Sequence, residues 1–424
     1  VSGRADEAAF DAARVRADFP ALEQPIDGKR LVYLDNACTA LKSRAVADRL
    51  HEFYLNWGGC GGRRSTHLAS QAVEGWAQDA RRTVADFVGA ESPNEIVFTS
   101  GTTEAMNLVA RAFPYGAGRR EVIITDLEHN AVVLPFHEAA RRGEIDLKVC
   151  PSRDGRLDLD RLESLLSDRT ALVAVTRASN VYGGVQPLAQ ICRLAHRRGA
   201  LVLSDYAQHF SSHRESLAET NVDFAAFSAH KLGGPFGVGA LYGKENVLNR
   251  LGHYKLGGGA VKSVRWDGAA LDVEYLDAPT RFEPGVPDLG GIIGFGAALR
   301  YLGGLAAASV REHVAGLTAR AARALGEIPE IAVLGRPEDL AEGALVSFHP
   351  RGNDFSTADF NLYLNHELEG RFIAVRVGEH CAHLLHAALK IPATIRLSFF
   401  AYNTTEEVDA FVSALKDFLR ISRS

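Results

Sequence analysis

FSAHKLGGPFGVGALYG, residues 227–243, sets one lysine, Lys231, between a short apolar run and a run of glycines. Two readings stand open for it. In one, a strand ends in a solvated lysine and a turn, the ordinary lot of a side chain that is mostly exposed. In the other, the lysine is held at the edge of a sheet, where its amine forms a Schiff base with a carbonyl cofactor. The second reading needs three more parts elsewhere in the chain: a cradle for a phosphate, an acid for a ring nitrogen and a platform for a ring.

Outward from Lys231, short apolar runs alternate with helical patterns between about residue 90 and residue 243. EIVFTS, EVIIT, ALVAV, ALVLS, FAAFS and GVGALY read as strands, and EAMNLVARAF and PLAQICRLAHRRG as helices, the latter closed by Gly199. The strand candidates are nearly continuous apolar runs without alternation, as expected of strands buried on both faces. The pattern predicts an α/β fold with a mostly parallel central sheet. Beyond residue 290 the character changes. GGIIGFGAALRYLGG predicts a small-residue helix suited to close packing. It precedes the strand candidates IAVLG, ALVSFH, FIAVR and TIRLSFF and a last helix with a Thr404–Glu407 capping box. A chain of 424 residues is too long for one ordinary domain. The expected division is an N-terminal segment (1–29) joining the small domain, a large cofactor-binding domain (30–290) and a smaller α+β domain (291–424).

Composition excludes several classes. Hydrophobic residues at 46% and charged residues at 23% argue for a packed core and against disorder. A net charge of −5 gives no support for nucleic-acid binding. No run approaches the length of a membrane helix. Asp6, Glu7 and Asp11 lie where a signal peptide needs an apolar run, so a cytoplasmic location is expected. The cysteines Cys38, Cys60, Cys150, Cys192 and Cys381 are scattered, with no CxxC, and read as free thiols. No metal site is expected; the question is whether one thiol is catalytic.

The missing parts sit at other strand ends. IVFTSGTTEAMNL (96–108) is strand, glycine turn and helix. Its Gly101, Thr102 and Thr103 open the helix, where backbone N–H groups and hydroxyls suit an anion. Asp205 follows the buried run ALVLS, the position from which carboxylates line the ligand crevice of open α/β sheets. It suits the ring nitrogen of a pyridinium cofactor, with Gln208 placed for a ring hydroxyl. Asn180 follows ALVAV, and His129 follows EVIIT, placed to stack on a flat ring. Ser228 and His230 flank Lys231 within reach of a phosphate. Each signal alone also fits a helix cap or a structural hydrogen bond. One cofactor, pyridoxal 5'-phosphate (PLP), accounts for the whole ordered set.

At this point the sequence resembles the fold-type I, class V aminotransferase-like PLP enzymes, and among them the SUF-type (group II) cysteine desulfurases and selenocysteine lyases. The segments that carry the resemblance are YLDNA, SGTTEAMNL, EHNAV, SNVYG, DYAQ, FSAHKLGGPFGVGALY, RFEPG, GGIIGFGAAL, AVRVGEHCAH and IRLSFFAYNTTEEVD. The resemblance implies that Lys231 forms the Schiff base and that Asp205 pairs with the ring nitrogen. It implies that His129 stacks on the ring, Gln208 meets the phenolic oxygen, and Thr102, Thr103, Ser228 and His230 hold the phosphate. Arg396 would take the substrate carboxylate, with Arg376 beside it and Asn36 as a further substrate contact, and Cys381 would be the sulfur-accepting nucleophile. The implied assembly is a homodimer that passes sulfur to an acceptor protein.

Three departures qualify this. Val286 stands in RFEPGVPD where the family usually has a Thr that reaches the phosphate across a dimer interface. Glu379 precedes His380 and Cys381 where the family often has a second His, and a carboxylate there disfavours a thiolate. WGGCGGRRSTHLAS keeps Arg64 and His67, but the surroundings of Cys60 differ and point to a modified substrate pocket. The expected activity is a PLP-dependent cleavage of the C–S bond of cysteine, with persulfide on Cys381. The alternatives are a β-elimination on an S-substituted cysteine, which needs Lys231 but not Cys381, and a non-catalytic PLP-bound scaffold.

Overall fold

The structure is a computed structural model that describes residues 10–61, 66–116, 118–352 and 355–422. Its centre is a seven-stranded sheet in the order 96–99, 239–243, 224–228, 201–205, 170–176, 121–125, 146–150. The strand Gly239–Gly243 runs antiparallel to both neighbours, and the other pairings are parallel. Five of these strands, including Phe224–Ser228 before Lys231, are buried along their whole length. Helices cover both faces, as the unbroken apolar runs require.

The glycines after Lys231 have a specific cause. Gly239 lies opposite both Ser228 and Thr99. A Cβ there would meet the Phe227 carbonyl at 2.5 Å and Gly101 Cα at 2.6 Å. Only a residue without a side chain lets this strand run between the lysine turn and the Gly101 turn.

The helix Leu289–Gly303 packs against Leu68–Val88 and Arg44–Glu52. A Cβ on Gly296 would lie 2.9 Å from the Ala80 methyl, so the small-residue stripe is a close helix–helix contact. The C-terminal part carries a four-stranded antiparallel sheet in the order 331–333, 345–350, 394–398, 376–378. The strand Arg30–Tyr33 pairs in parallel with Arg371–Ala374. Strand pairing therefore ties the N-terminal segment to the C-terminal part beyond residue 29, and the chain passes into the large sheet only afterwards. The last helix, Thr405–Ile421, has the expected capping box of Thr404 and Glu407. Among the described residues no single helix is long and apolar enough to cross a membrane.

Candidate active site

Strands 96–99, 121–125, 170–176, 201–205 and 224–228 run in one direction, so their C-terminal ends share an edge of the sheet. The edge opens into a cavity of about 340 Å3 walled on its far side by Arg376, His380, Cys381 and Arg396. Thr102, Thr103, His129, Asn180, Asp205, Gln208, Ser228, His230 and Lys231 all line it.

The anion cradle is built across two strand ends. Ser228 Oγ accepts a hydrogen bond from Thr102 N at 2.8 Å and lies 2.8 Å from Thr102 Oγ1. Gly101, at φ +146°, allows this approach: a Cβ there would stand 3.1 Å from Ser228 Oγ. Thr103 is exposed toward the cavity, and His230 Nδ1 has no partner among the described residues. Burial, with Lys231 and Lys42 nearby, lowers His230 to about 4, so its ring is neutral.

Asp205, 5% exposed, accepts a hydrogen bond from Ala207 N at 2.8 Å. Burial raises its carboxyl, while the charge of Lys231 opposes the rise. Burial lowers the Lys231 amine, and Asp205 opposes that shift in turn. No hydrogen bond or ion pair engages the lysine among the described residues, and it faces the cavity. His129 caps the helix Asn130–Arg141, its Nδ1 accepting from Ala131 N at 3.0 Å. Burial, then the charges of Lys231 and Arg396, lower it to about 4. Gln208 donates to the Ala37 carbonyl at 2.8 Å, and Asn180 Nδ2 donates to the His380 carbonyl at 2.8 Å.

Arg396 is 3% exposed. It donates to the Asn180 carbonyl at 3.0 Å and meets Asp35 at 3.4 Å, and its Nε has no partner among the described residues. Arg376 pairs with the other oxygen of Asp35 at 2.7 Å.

Cys381 is exposed and lines the cavity. Residues 379–382 make a tight turn between the strand Arg376–Gly378 and the helix His383–Leu389. His380 and Cys381 both take left-handed backbone angles, φ +51° and +55°. Their carbonyls accept hydrogen bonds from Asn180 Nδ2 and Asn130 N, each at 2.8 Å, so the turn is anchored to the large sheet. Glu379 is turned to His383, Oε2 to Nε2 at 3.3 Å.

Asn36, the expected substrate contact, does not line this cavity but borders a narrower neighbouring one that Ala37, Gln208 and Lys231 also line. Its amide donates to the Ser398 carbonyl at 2.7 Å and to Asn403 at 3.0 Å, and its oxygen accepts from the Tyr402 hydroxyl. A side chain this fully engaged joins the chain segments rather than reaching for a ligand. His67 caps the helix Leu68–Val88 through Ser70 N, and the exposed Cys60 does not line the cavity. Arg64 lies outside the described residues. Val286 is exposed.

Sequence reasoning passed over four residues here. Cys38 lines the cavity and accepts from Arg376 at 2.6 Å. Asp35 binds both arginines. Glu128 is fully buried, close enough to Asp205 for the two charges to act on each other. Glu283 receives a bidentate pair from Arg81 and the N–H of Phe98, which fixes the strand leading to the anion cradle. Asp35 comes soon after the strand Arg30–Tyr33, a strand-end signal like the one that singled out Asp205, and Cys38 lies one turn further on. Glu283 lies in RFEPG, a segment that carried the resemblance without a physical reason attached.

The sequence model of the class-V aminotransferase family matches residues 32–411. Cysteine desulfurases of Enterobacter sp. (strain 638) and Dickeya dadantii (strain 3937) are each 38% identical to the chain. The first match covers 96% of this chain and 98% of the relative, the second 95% of each. Among solved structures, the cysteine desulfurase CsdA of Escherichia coli superposes with a TM-score of 0.86 at 33% identity, over 98% of this chain and 100% of that one. The apo cysteine desulfurase of Thermococcus onnurineus NA1 superposes with a TM-score of 0.87 at 31% identity, over 96% and 98%.

Proposed function

The chain belongs to the class-V aminotransferase family and within it to the cysteine desulfurases, and from that premise we propose that it converts L-cysteine to L-alanine and carries the released sulfur as a persulfide on Cys381. The observation that carries this reading is that Lys231, without a partner among the described residues, shares one cavity with Cys381. An amine at the sheet edge and a thiol on the opposite wall are the two groups that the reaction requires of the protein.

The residues present fit PLP, the cofactor of the family. The hydroxyls of Thr102, Thr103 and Ser228, the helix start after Gly101 and the unpartnered His230 Nδ1 suit a phosphate. The buried Asp205 suits a protonated ring nitrogen, and the neutral His129 suits the face of a ring. Gln208 and Asn180 border the same space. When bound, PLP supplies a carbonyl for the amine of cysteine and an electron sink for its Cα.

The protein's part follows from its own groups. Arg396 and, beside it, Arg376 hold the substrate carboxylate; an N–H fork on a carboxylate fixes orientation as well as charge. Asp205 would hold the proton on the ring nitrogen of bound PLP. Lys231, its amine lowered by burial, moves the proton at Cα. Cys381 attacks the substrate sulfur: the new S–S bond forms as the C–S bond breaks, and the carbon fragment leaves as alanine after protonation.

The exposed position of Cys381 suits onward delivery to a sulfur-acceptor protein. The hairpin of Val261–Trp266 and Leu271–Tyr275 presents Val264, Trp266 and Leu271 to solvent, and Leu256 and Val286 are exposed as well. Unpaired apolar surface of this kind supports a homodimer. Its location is the cytoplasm, where the thiols stay reduced.

The test feeds L-cysteine to wild type and to Cys381→Ala at matched PLP content and measures alanine, pyruvate and protein-bound sulfane sulfur. Wild type should form alanine and sulfane sulfur in equal amounts, and the variant neither. Pyruvate as the main product in both proteins would replace the desulfurase by a β-eliminating lyase. Lys231→Ala should lose turnover and the borohydride-sensitive visible absorption.

A further inference from the structure

The cavity holds a second thiol. Cys150 and Cys192 are core residues, but Cys38 is half-buried and lines the same cavity as Cys381. Its sulfur lies 2.6 Å from an Arg376 guanidinium nitrogen that also pairs with Asp35. Lys231 and Arg396 line the same cavity beside Arg376. The thiolate is the nucleophilic form of a cysteine. Beside it the buried Arg396 leaves its Nε without a partner among the described residues, in keeping with a wall built to receive an anion. Neither the alanine-forming chemistry of Lys231 nor the first sulfur transfer to Cys381 uses Cys38.

We propose that Cys38 is a second sulfur carrier, which takes the sulfane sulfur from the persulfide of Cys381 across the shared cavity. This rests on the reading that Cys381 carries a persulfide. The Cys38 thiolate attacks the outer sulfur of that persulfide. A bond forms between this sulfur and Cys38 Sγ as its bond to Cys381 Sγ breaks. Cys381 leaves as a thiolate and takes the proton that Cys38 gave up. Cys38 Sγ is oxidised by as much as Cys381 Sγ is reduced, so no outside oxidant or reductant enters. The transfer returns Cys381 to its free form and parks the sulfur beside Arg376, on a less exposed residue.

The test locates sulfane sulfur by alkylation and peptide mass spectrometry in the holoenzyme. In one arm the protein is fed L-cysteine. In the other it is loaded briefly with inorganic polysulfide, freed of the excess and sampled over time. After polysulfide, wild type should lose sulfane from the Cys381 peptide at the rate at which the Cys38 peptide gains it; with L-cysteine, sulfane should appear on Cys381 first and on Cys38 after it. Cys38→Ser and Cys38→Ala should keep it on Cys381, and Cys381→Ala should show none on Cys38 after L-cysteine. Sulfane on Cys381 of wild type that reaches Cys38 in neither arm overturns the relay and leaves the desulfurase reading intact. No sulfane from L-cysteine, with transfer still seen after polysulfide, overturns the desulfurase reading and upholds the relay. Sulfane on Cys38 of L-cysteine-fed Cys381→Ala overturns the order of transfer.

Discussion

Glu128→Gln is the perturbation whose magnitude the structure sets most directly. Glu128 is fully buried at the end of the His129 strand. One carboxyl oxygen accepts from Thr125 Oγ1 at 2.5 Å and from Thr176 N at 3.0 Å, and the other has no partner among the described residues. Burial pushes this carboxyl from 4.5 up to about 8; the two hydrogen bonds oppose the rise, and the negative charges of Asp205 and Asp126 add to it. Between those values the unfolded chain releases the proton and the folded chain keeps it. The folded state then binds more protons, so stability falls as pH rises, by about 1.4 kcal/mol per unit for one group. The contribution is fully present below pH 4.5 and is lost as pH climbs to about 8. Glutamine keeps the accepting oxygen and carries no titrating proton. The stability of wild type relative to Glu128→Gln should therefore fall by about 3 kcal/mol between about pH 5 and about pH 7.5. Urea unfolding of both proteins across that range, followed by near-ultraviolet circular dichroism, measures the difference. Parallel stability curves would refute the argument, because a carboxylate ionised in the fold gives no such slope. The same proton matters for the site: with Glu128 neutral, Asp205 faces no negative charge from it.

Glu283→Ala leaves the Arg81 guanidinium buried without its bidentate partner and should destabilise the fold by about 3–5 kcal/mol, read as a lowered denaturation midpoint; an unchanged midpoint would mean that this pair does not fix the strand under the anion cradle. Asp205→Ala should slow cysteine turnover by orders of magnitude while PLP still binds through Lys231 and the cradle, so normal turnover at full cofactor content would remove Asp205 from the ring nitrogen. Arg396→Lys loses the guanidinium fork and should raise the KM for cysteine roughly 10- to 100-fold with little change in PLP content; an unaltered KM would move the carboxylate site to Arg376.

The sheet was legible because strands buried on both faces write themselves as unbroken apolar runs, and the residues at their ends follow in the next few positions. That is how Lys231, Asp205, His129, Asn180 and Thr102 could be read together and came to line one cavity. Long-range pairing leaves no such trace. Nothing in LVYL tells that Arg30–Tyr33 joins Arg371–Ala374, more than three hundred residues away, in parallel register. Asn36, which the resemblance offered as a substrate contact, finds its partners Ser398, Tyr402 and Asn403 at the other end of the chain, and no local pattern announces them. The turn at Cys381 leaves as little trace, because the hydrogen bonds that hold it come from Asn130 and Asn180.

Those same long-range contacts bring the charges of the cavity into a definite balance. Asp35, just past the N-terminal strand, meets Arg376 through both oxygens and Arg396 through one, both arginines coming from the C-terminal sheet. Two guanidiniums against one carboxylate leave a surplus positive charge at a place where Arg396 Nε lacks a partner and Cys38 stands alongside. A substrate carboxylate would complete the group. The buried Arg396 is lowered by burial, with Asp35 opposing the shift and Arg376 reinforcing it. A second anion therefore relieves the repulsion between the arginines as well as adding its own hydrogen bonds. The anchor thus depends on the pairing of residues 30–33 with 371–374, which holds Asp35 against the C-terminal sheet. On the proposed function, the N-terminal strand contributes to substrate recognition by holding the acid that spaces the two arginines.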